Sequence, residues 1–316
     1  MDGPGSLVAG RYELVEIAGS GGMATVWRAI QRGAAGFERP VGLKRVKAQF
    51  AHDRSFREMF VEEARVAAQL VHPNIVQIYD FGVEEGRYFL VMEWVEGINL
   101  ARFCSSMVEL GSLPPWTFVA AVGIEALRGL GAAHERIDGQ GQMAPIFHRD
   151  VTPQNILIGT NGVVKLTDFG LARATDRARM TEPDVIKGKV GYLAPELPHT
   201  KTPNARTDIY ALGVSLWQSL SGRRLFEGRD QLEIFLAAKQ GEVPPVAEFR
   251  PDVPQAFASI VERALARDPE DRFESAAQMA RVIARLLRTV DDNPDASMIG
   301  QSVGEVLTFL RTGQTR

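Results

Sequence analysis

Hydrophobic and polar residues alternate with different periods along the chain. Residues 12–31 alternate around a glycine cluster at 18–26, which predicts two strands joined by a turn. Residues 88–92 form a short apolar run typical of a buried strand. Residues 54–70 instead repeat their apolar positions at helical spacing. The N-terminal part of the chain therefore predicts a sheet with one main helix.

Beyond about residue 96 the pattern becomes mainly helical. Residues 118–136 predict a long helix, and a second, very apolar helix opens near Asp208. Helices continue to about Thr289. Residues 290–316 contain one amphipathic helix with apolar residues at Ile299, Val303, Val306, Leu307 and Leu310. This last helix could pack on its own domain or bind a partner, and the sequence leaves both open.

Composition narrows the class of protein. The chain has 316 residues, 45% of them hydrophobic, which suits one large two-lobed domain or two small ones. A net charge of −3 gives no broad basic surface for nucleic acid. The single cysteine, Cys104, excludes an internal disulfide framework and fits a reducing compartment. Without a signal pattern or an apolar run of about 18 residues, we expect a cytoplasmic chain with no membrane span.

The stretch at residues 146–170, IFHRDVTPQNILIGTNGVVKLTDFG, carries the chemistry. An HRD triplet ends at Asp150, Asn155 follows five positions later, and a DFG triplet begins at Asp168. The apolar runs between them flank an Asn-Gly pair, which is a hairpin signal. A hairpin here would bring Asn155 beside Asp168, and both side chains offer the hard oxygen ligands that Mg²⁺ prefers.

Further motifs lie in the same order as in a known family. They are the glycine-rich turn GSGGMATV at 19–26, VGLK at 41–44, HPNIV at 72–76 and APE at 194–196. Together with the HRD and DFG triplets, they resemble those of bacterial Hanks-type (eukaryotic-like) serine/threonine protein kinases. The resemblance covers roughly residues 10–289.

The resemblance implies an α+β, bilobal protein-kinase fold. A small β-rich N-lobe with one main helix would span about residues 10–95, and a larger helical C-lobe about residues 96–289. Residues 290–316 would form a C-terminal tail. The implied reaction is transfer of the γ-phosphoryl group of ATP to serine or threonine hydroxyls of proteins in signalling, with Mg²⁺ or with Mn²⁺ in its place.

The resemblance also assigns catalytic roles. Asp150 would accept the proton of the substrate hydroxyl, and Asn155 and Asp168 would hold the metal ion. Lys44 would reach the α- and β-phosphates and pair with Glu63. Glu62, the neighbouring acid on the same helix, is the alternative partner.

The nucleotide site is implied to lie along the glycine-rich turn, the lysine strand and the hinge. Its residues would be Gly19, Ser20, Gly21, Gly22, Ala24, Val26, Gly42, Lys44, Met92, Glu93, Val95 and Leu157. Ala24 replaces the last glycine of the family pattern, and Gly42 replaces its usual alanine. Backbone groups of Glu93 and Val95 would bind the adenine edge.

Three further side chains have scaffold roles by resemblance. Glu196 would pair with Arg272, and Asp208 would hold the backbone of the turn at residues 148–149. The glycine-containing stretch at 137–145 is a surface excursion or a docking site.

Two departures from the family pattern look coupled. Most relatives have lysine two residues after the catalytic aspartate, where this chain has Thr152, and threonine where it has Lys189. We expect Lys189 to supply the missing positive charge near Asp150; the alternative is a solvated lysine and a slow or inactive enzyme.

The segment between the DFG and APE triplets predicts regulation. Its only threonines are Thr181 and Thr175, and it contains no serine. Autophosphorylation of Thr181, with Thr175 second, would place a phosphate near several arginines and would require self-association of two copies. Two rival functions remain: a pseudokinase that only binds, and a small-molecule phosphotransferase of related fold.

Overall fold

A computed structural model describes residues 2–169, 190–197, 202–226 and 231–313. The expected sites at Thr175, Thr181 and Lys189 lie outside these residues. The chain divides after Trp94 into two compact units, which are described separately below.

The first unit is built on an antiparallel sheet of six strands. The strands are β1 (Leu7–Val8), β2 (Tyr12–Ser20), β3 (Ala24–Arg32), β4 (Glu38–Val46), β5 (Ile78–Glu84) and β6 (Arg87–Glu93), in the order β1-β2-β3-β4-β6-β5. Tyr12, Trp27, Leu43 and Phe89 are buried together on one face. The alternating pattern of residues 12–31 therefore forms the predicted hairpin, because period two turns one set of side chains toward the core.

The helix α1 (Arg54–Ala67) packs against this sheet. The Asp53 side chain caps its N-terminus by accepting hydrogen bonds from two backbone N–H groups of its first turn. Phe60 and Ala64 pack with Leu90 of the sheet, which fixes the helix face that carries Glu63. The helical periodicity of residues 54–70 is confirmed, although the helix ends three residues earlier.

The second unit is mainly helical. Its helices are α2 (Leu100–Glu109), α3 (Trp116–His134), α4 (Ala205–Ser221), α5 (Gln231–Gln240), α6 (Gln255–Ala264), α7 (Ala276–Leu287) and α8 (Ala296–Thr312). Its described 3₁₀ turns lie at Pro153–Asn155, Val190–Tyr192, Val246–Glu248 and Pro269–Asp271, and those of the first unit at Ala34–Gly36 and Ala48–Phe50. Among the described residues, no helix combines the length and apolar character needed to cross a membrane.

Helix α4 is the central element of this unit. Nearly all of its residues are buried, so it is surrounded by protein rather than amphipathic. A capping box between Asn204 and Thr207 starts the helix, and Gly222 ends it in the left-handed conformation. The expected Glu196–Arg272 pair is confirmed beside it, with two bonds of 2.8 Å and a fully buried arginine.

The tail helix α8 packs on its own unit, which confirms one of the two alternatives. Val303 and Val306 are buried, and the helix contacts α2 and a small sheet of β7 (Gly97–Asn99), β8 (Ile156–Gly159) and β9 (Val164–Leu166). Gly300 allows this packing, because an added Cβ would lie 2.3 Å from the Thr160 carbonyl oxygen.

We predict that Gly300→Ala destabilises the protein by about 1–3 kcal/mol, the usual cost of overpacking, despite the better helix propensity of alanine. Gly304 on the same helix is the matched control, because its Cβ would meet no described atom within 4 Å. Gly304→Ala should raise the free energy of unfolding by up to about 1 kcal/mol. Equal melting temperatures for the two variants would contradict the close packing of α8.

Candidate functional site

The HRD turn of the second unit is held by a buried carboxylate. Asp208, in the first turn of α4, accepts hydrogen bonds from the backbone N–H groups of His148 and Arg149, each 2.8 Å long. His134 Nε2 lies 2.8 Å from the same carboxylate. The expected scaffold role of Asp208 is confirmed by these bonds.

Asp208 remains ionised in spite of its surroundings. Burial acts to raise the pKa of its carboxyl, but hydrogen bonds from His134 and the Arg149 amide hold that pKa below its ordinary value. The N-terminus of α4 adds a further favourable field for negative charge. The charged form is therefore the one that holds the turn.

The backbone is strained at two motif residues. Arg149 has φ of +67° and Asp168 has φ of +63°, in the left-handed region that residues with a Cβ rarely adopt. Each such residue costs of the order of 1 kcal/mol or more, and persists only where neighbouring bonds fix it. At Arg149 the bond to Asp208 supplies that constraint.

His148 connects the two motif segments. Its Nδ1 accepts a hydrogen bond from the Asp150 N–H at 3.3 Å, and its Nε2 lies 3.0 Å from the Thr167 carbonyl oxygen. Its ring lies 4.3 Å from the ring of Phe169. Burial lowers the pKa of His148, so the imidazole is neutral and Nε2–H donates to Thr167.

Asn155 faces both Asp150 and the DFG segment. Its Nδ2 donates to the Asp150 backbone oxygen at 2.8 Å and to the Asp150 carboxylate at 3.0 Å. The backbone carbonyl oxygen of Asn155 accepts a hydrogen bond from the Thr167 N–H at 3.0 Å. The β8–β9 hairpin therefore brings Asn155 against Thr167, the residue before Asp168, and confirms the hairpin expected from the sequence.

These side chains fit a divalent metal that is completed by other ligands. Because Asn155 uses Nδ2 toward Asp150, its Oδ1 offers a hard oxygen donor, and Asp168, directly after Thr167 in the chain, offers a carboxylate. The described residues contain no cluster of three or more acidic, histidine or cysteine ligands. Phosphate oxygens and water would have to supply the rest of the shell.

The first unit contains a separate buried ion pair. Lys44 Nζ donates to Glu63 Oε1 at 2.7 Å, and both side chains are less than one-tenth exposed. Glu62, the alternative partner, lies 3.4 Å from Arg65 at the surface instead. Helix α1 and strand β4 thus select Glu63, whose catalytic role stays a prediction.

The glycine-rich turn leaves unfilled space. Among the described atoms, a Cβ at Gly19 would meet nothing within 4 Å, and one at Gly21 would meet only the Ala24 carbonyl oxygen at 3.8 Å. Neither glycine has a positive φ. The fold of the unit does not require glycine at these positions, so the space is available to a ligand.

Glycine at position 42 is explained by packing inside the protein rather than by space for a ligand. An added Cβ there would lie 3.1 Å from Cγ of Met92, so the glycine makes room for the buried methionine on the next strand. From the sequence alone, Gly42 is a predicted nucleotide-site residue that replaces the family's usual alanine. The pairing of Gly42 with Met92 could be found only after the strand register was known.

The remaining predicted residues are located as follows. Thr152 is buried at the start of the turn that carries Asn155, and its carbonyl oxygen accepts from the Asn155 N–H at 2.9 Å. Val95 and Leu157 are partly buried in the second unit. Val26 and Glu93 are partly buried in the first. Lys189 lies outside the described residues.

His134 is the functional neighbour that sequence analysis missed. It ends the apolar helix α3 and contacts Asp208 from a position 74 residues away. The only signal was a histidine in the last turn of an otherwise apolar helix, and that pattern does not identify its partner.

A family model described as a protein kinase domain matches residues 12–282. The chain belongs to the protein kinase family. It is 40% identical over 278 residues to the tyrosine-protein kinase MasK of Myxococcus xanthus, and 36% identical over 275 residues to the serine/threonine-protein kinase PrkC of Bacillus subtilis. These matches cover 88% and 87% of this chain, but only 43% and 40% of those two relatives.

Solved structures agree with this assignment. A crystal structure of the Mycobacterium tuberculosis PknI kinase domain matches with a TM-score of 0.67 and 28% identity, covering 90% of this chain and 98% of that one. The relatives named serine/threonine kinases are bacterial, so this chain is a Hanks-type kinase domain of the bacterial branch. Members of this family use ATP and a divalent metal to phosphorylate proteins.

The lowered pKa of His148 gives a pH prediction. Below the unfolded-state value of about 6.5, the unfolded chain binds a proton that the folded chain excludes, so stability falls as pH falls. Replacing His148 with glutamine should flatten this decline by up to about 1.4 kcal/mol per pH unit. The measurement is denaturant unfolding between pH 7 and pH 5, with the exposed His52→Gln as control. An unchanged slope for His148→Gln would contradict a buried neutral imidazole.

Proposed function

We propose that this chain transfers the γ-phosphoryl group of ATP to serine and threonine hydroxyls of proteins. The observation that supports the proposal is the Asp208-held turn, in which the Asn155 amide donates to the Asp150 carboxylate while the Asn155 backbone oxygen accepts from Thr167, the residue before Asp168. Family membership supports the reaction class. The intact arrangement of acidic and amide groups argues against a pseudokinase.

In the proposed reaction, the substrate oxygen attacks the γ-phosphorus of ATP while the bond to the β–γ bridging oxygen breaks. Asp150 accepts the proton of the hydroxyl, and ADP leaves. The Asn155 amide, bonded to the Asp150 carboxylate, orients that carboxylate for this role. Positioning and charge neutralisation supply most of the catalysis in such reactions.

Asn155 and Asp168 would hold Mg²⁺, or Mn²⁺ in its place. A bound ion of this kind neutralises charge on the phosphates. The Lys44 ammonium would contact the α- and β-phosphates, and Glu63 keeps it in position. Glu93 and Val95 would bind adenine through backbone groups.

The glycine-rich turn would bind the phosphates of ATP. Gly19 and Gly21 leave space that the protein itself does not use. Because glycine has no side chain, the backbone N–H groups of such a turn can approach phosphate oxygens closely. Ser20, Gly22 and Ala24 belong to the same turn. Val26, Gly42, Met92 and Leu157 would contact the adenine ring.

Regulation and location are further parts of the proposal. Lys189 would supply positive charge near Asp150 in compensation for Thr152. Two copies would associate for autophosphorylation at Thr181 or Thr175, in signalling within the cytoplasm.

Tyrosine is the second candidate acceptor. The 40% identity to a relative named a tyrosine-protein kinase favours it. Serine and threonine stay the first choice because several other relatives, including PrkC, are named serine/threonine-protein kinases. Hydrolysis of phosphorylated protein to its phosphoamino acids separates the two.

The test combines labelled ATP with two variants. Asp150→Asn should reduce the transfer rate by about 10²–10⁴-fold while ATP binding survives, because general-base loss acts on the chemical step. Gly21→Val should instead weaken ATP binding: the KM for ATP should rise by about tenfold while the melting temperature stays unchanged.

The outcomes separate the proposal from its rivals. Phosphoserine and phosphothreonine are expected from the wild-type chain. ATP binding without any transfer to protein would indicate a pseudokinase, and label on small molecules alone would indicate the related phosphotransferases. Gly21→Val with wild-type KM for ATP would remove the phosphate role of the glycine-rich turn.

A further inference from the structure

A cavity of about 530 Å³ opens in the second unit beside the catalytic turn. Its walls come from α2, from Pro153 and Gln154, from Tyr192, and from the C-terminal end of α4 with the residues after it. Pro153 and Gln154 follow Asp150 by three and four positions. The cavity therefore adjoins the residue that would act on the acceptor hydroxyl.

The lining of this cavity has an unusual charge balance for a chain with net charge −3. Among the described residues, it contains three arginines, Arg102, Arg223 and Arg224, and no aspartate or glutamate. Its other polar groups include the neutral amides of Asn99, Gln154 and Gln218. A cavity of this composition attracts anions and gives a cation no counter-charge.

Two of the three arginines have no carboxylate partner in the described part of the chain. The Arg223 guanidinium lies over the Phe249 ring at 5.4 Å from its centroid, and both Arg223 and Arg224 are exposed. Arg102 pairs with Glu109 at 2.9 Å, where both side chains are about half exposed. Arg223 and Arg224 are thus the arginines with donors available to a ligand.

Two other polar residues of the cavity lining, Tyr192 and Gln218, are bonded to each other. The Tyr192 hydroxyl donates to Gln218 Oε1 at 2.6 Å, and both residues line the cavity. Burial raises the pKa of Tyr192 to about 12, and the Arg224 and Asp150 charges both act on it. Tyr192 is therefore a neutral wall residue that lies within electrostatic range of both an arginine and the catalytic aspartate.

We propose that this cavity binds an anionic side chain of the protein substrate, close in sequence to the accepting hydroxyl, through Arg223 and Arg224. This inference rests on the proposed kinase function and adds a substrate class to it. A glutamate, an aspartate or an already phosphorylated residue has the required chemistry, because guanidinium groups form charge-assisted hydrogen bonds with carboxylate and phosphate alike. Basic peptides are disfavoured by the same arginines.

The test measures peptide binding to the full chain by fluorescence anisotropy. The probes share one labelled scaffold with a single serine among alanines, and carry glutamate, phosphoserine, lysine or alanine at each flanking position in turn. At one or more positions, the glutamate or phosphoserine peptide should bind about tenfold more tightly than the alanine peptide, in the range of hydrogen bonds to charged groups. The advantage should shrink as salt is raised.

Charge reversal provides the decisive variant. Arg223→Glu with Arg224→Glu should abolish the preference for anionic peptides and favour the lysine peptide. Arg281→Glu with Arg285→Glu is the matched control, because these arginines are exposed on α7, outside the cavity, and the change in net charge is equal. The control should keep the wild-type preference.

The two proposals can fail separately. Equal binding of all peptides, or tighter binding of lysine peptides by the wild type, would overturn the anionic-substrate inference. So would the same loss of preference in the control variant. Transfer to the alanine peptide tests the kinase function on its own: selective binding without transfer would overturn that function and leave the binding site standing.

Discussion

The buried carboxylate of Asp208 is the constraint on which the rest of the site depends. An ionised group with only 1% exposure is costly unless hydrogen bonds replace the water it has lost. Two backbone N–H groups of the HRD turn and the His134 ring supply those bonds. Because Asp208 lies on α4, which is buried nearly all round, the turn takes its position from an enclosed helix of the unit.

The turn then transmits this position to the groups that would do the chemistry. His148 bonds to Thr167 and packs on Phe169, so the segment before Asp168 is tied to the same anchor. Asn155 bonds to Asp150 on one side and to Thr167 on the other. The tail helix α8 packs on the hairpin that joins Asn155 to Asp168, which makes a segment beyond the family match part of the support.

Much of this arrangement could be predicted from the sequence where the interaction is local or the motif is long. The Asn-Gly pair identified the β8–β9 hairpin, and apolar periodicity identified α1 and the face that carries Glu63. Pairs between distant segments could not be predicted from pattern. His134 with Asp208, Gly42 with Met92, and Gly300 with Thr160 each depend on two elements meeting at one register, which residue type alone does not encode. The arginine-lined cavity was missed for the same reason, since its walls come from four separate segments.

The central claim, that the Asp208 carboxylate holds the catalytic turn, is tested most directly by amide hydrogen exchange in Asp208→Asn. Asparagine keeps the shape but removes the charge, and it offers one acceptor oxygen where the two backbone amides and His134 now share two. The account predicts faster exchange at the His148 and Arg149 amides, together with a lower phosphoryl-transfer rate, while amides in the first unit keep their protection. Unchanged exchange at both amides with a wild-type transfer rate would contradict it.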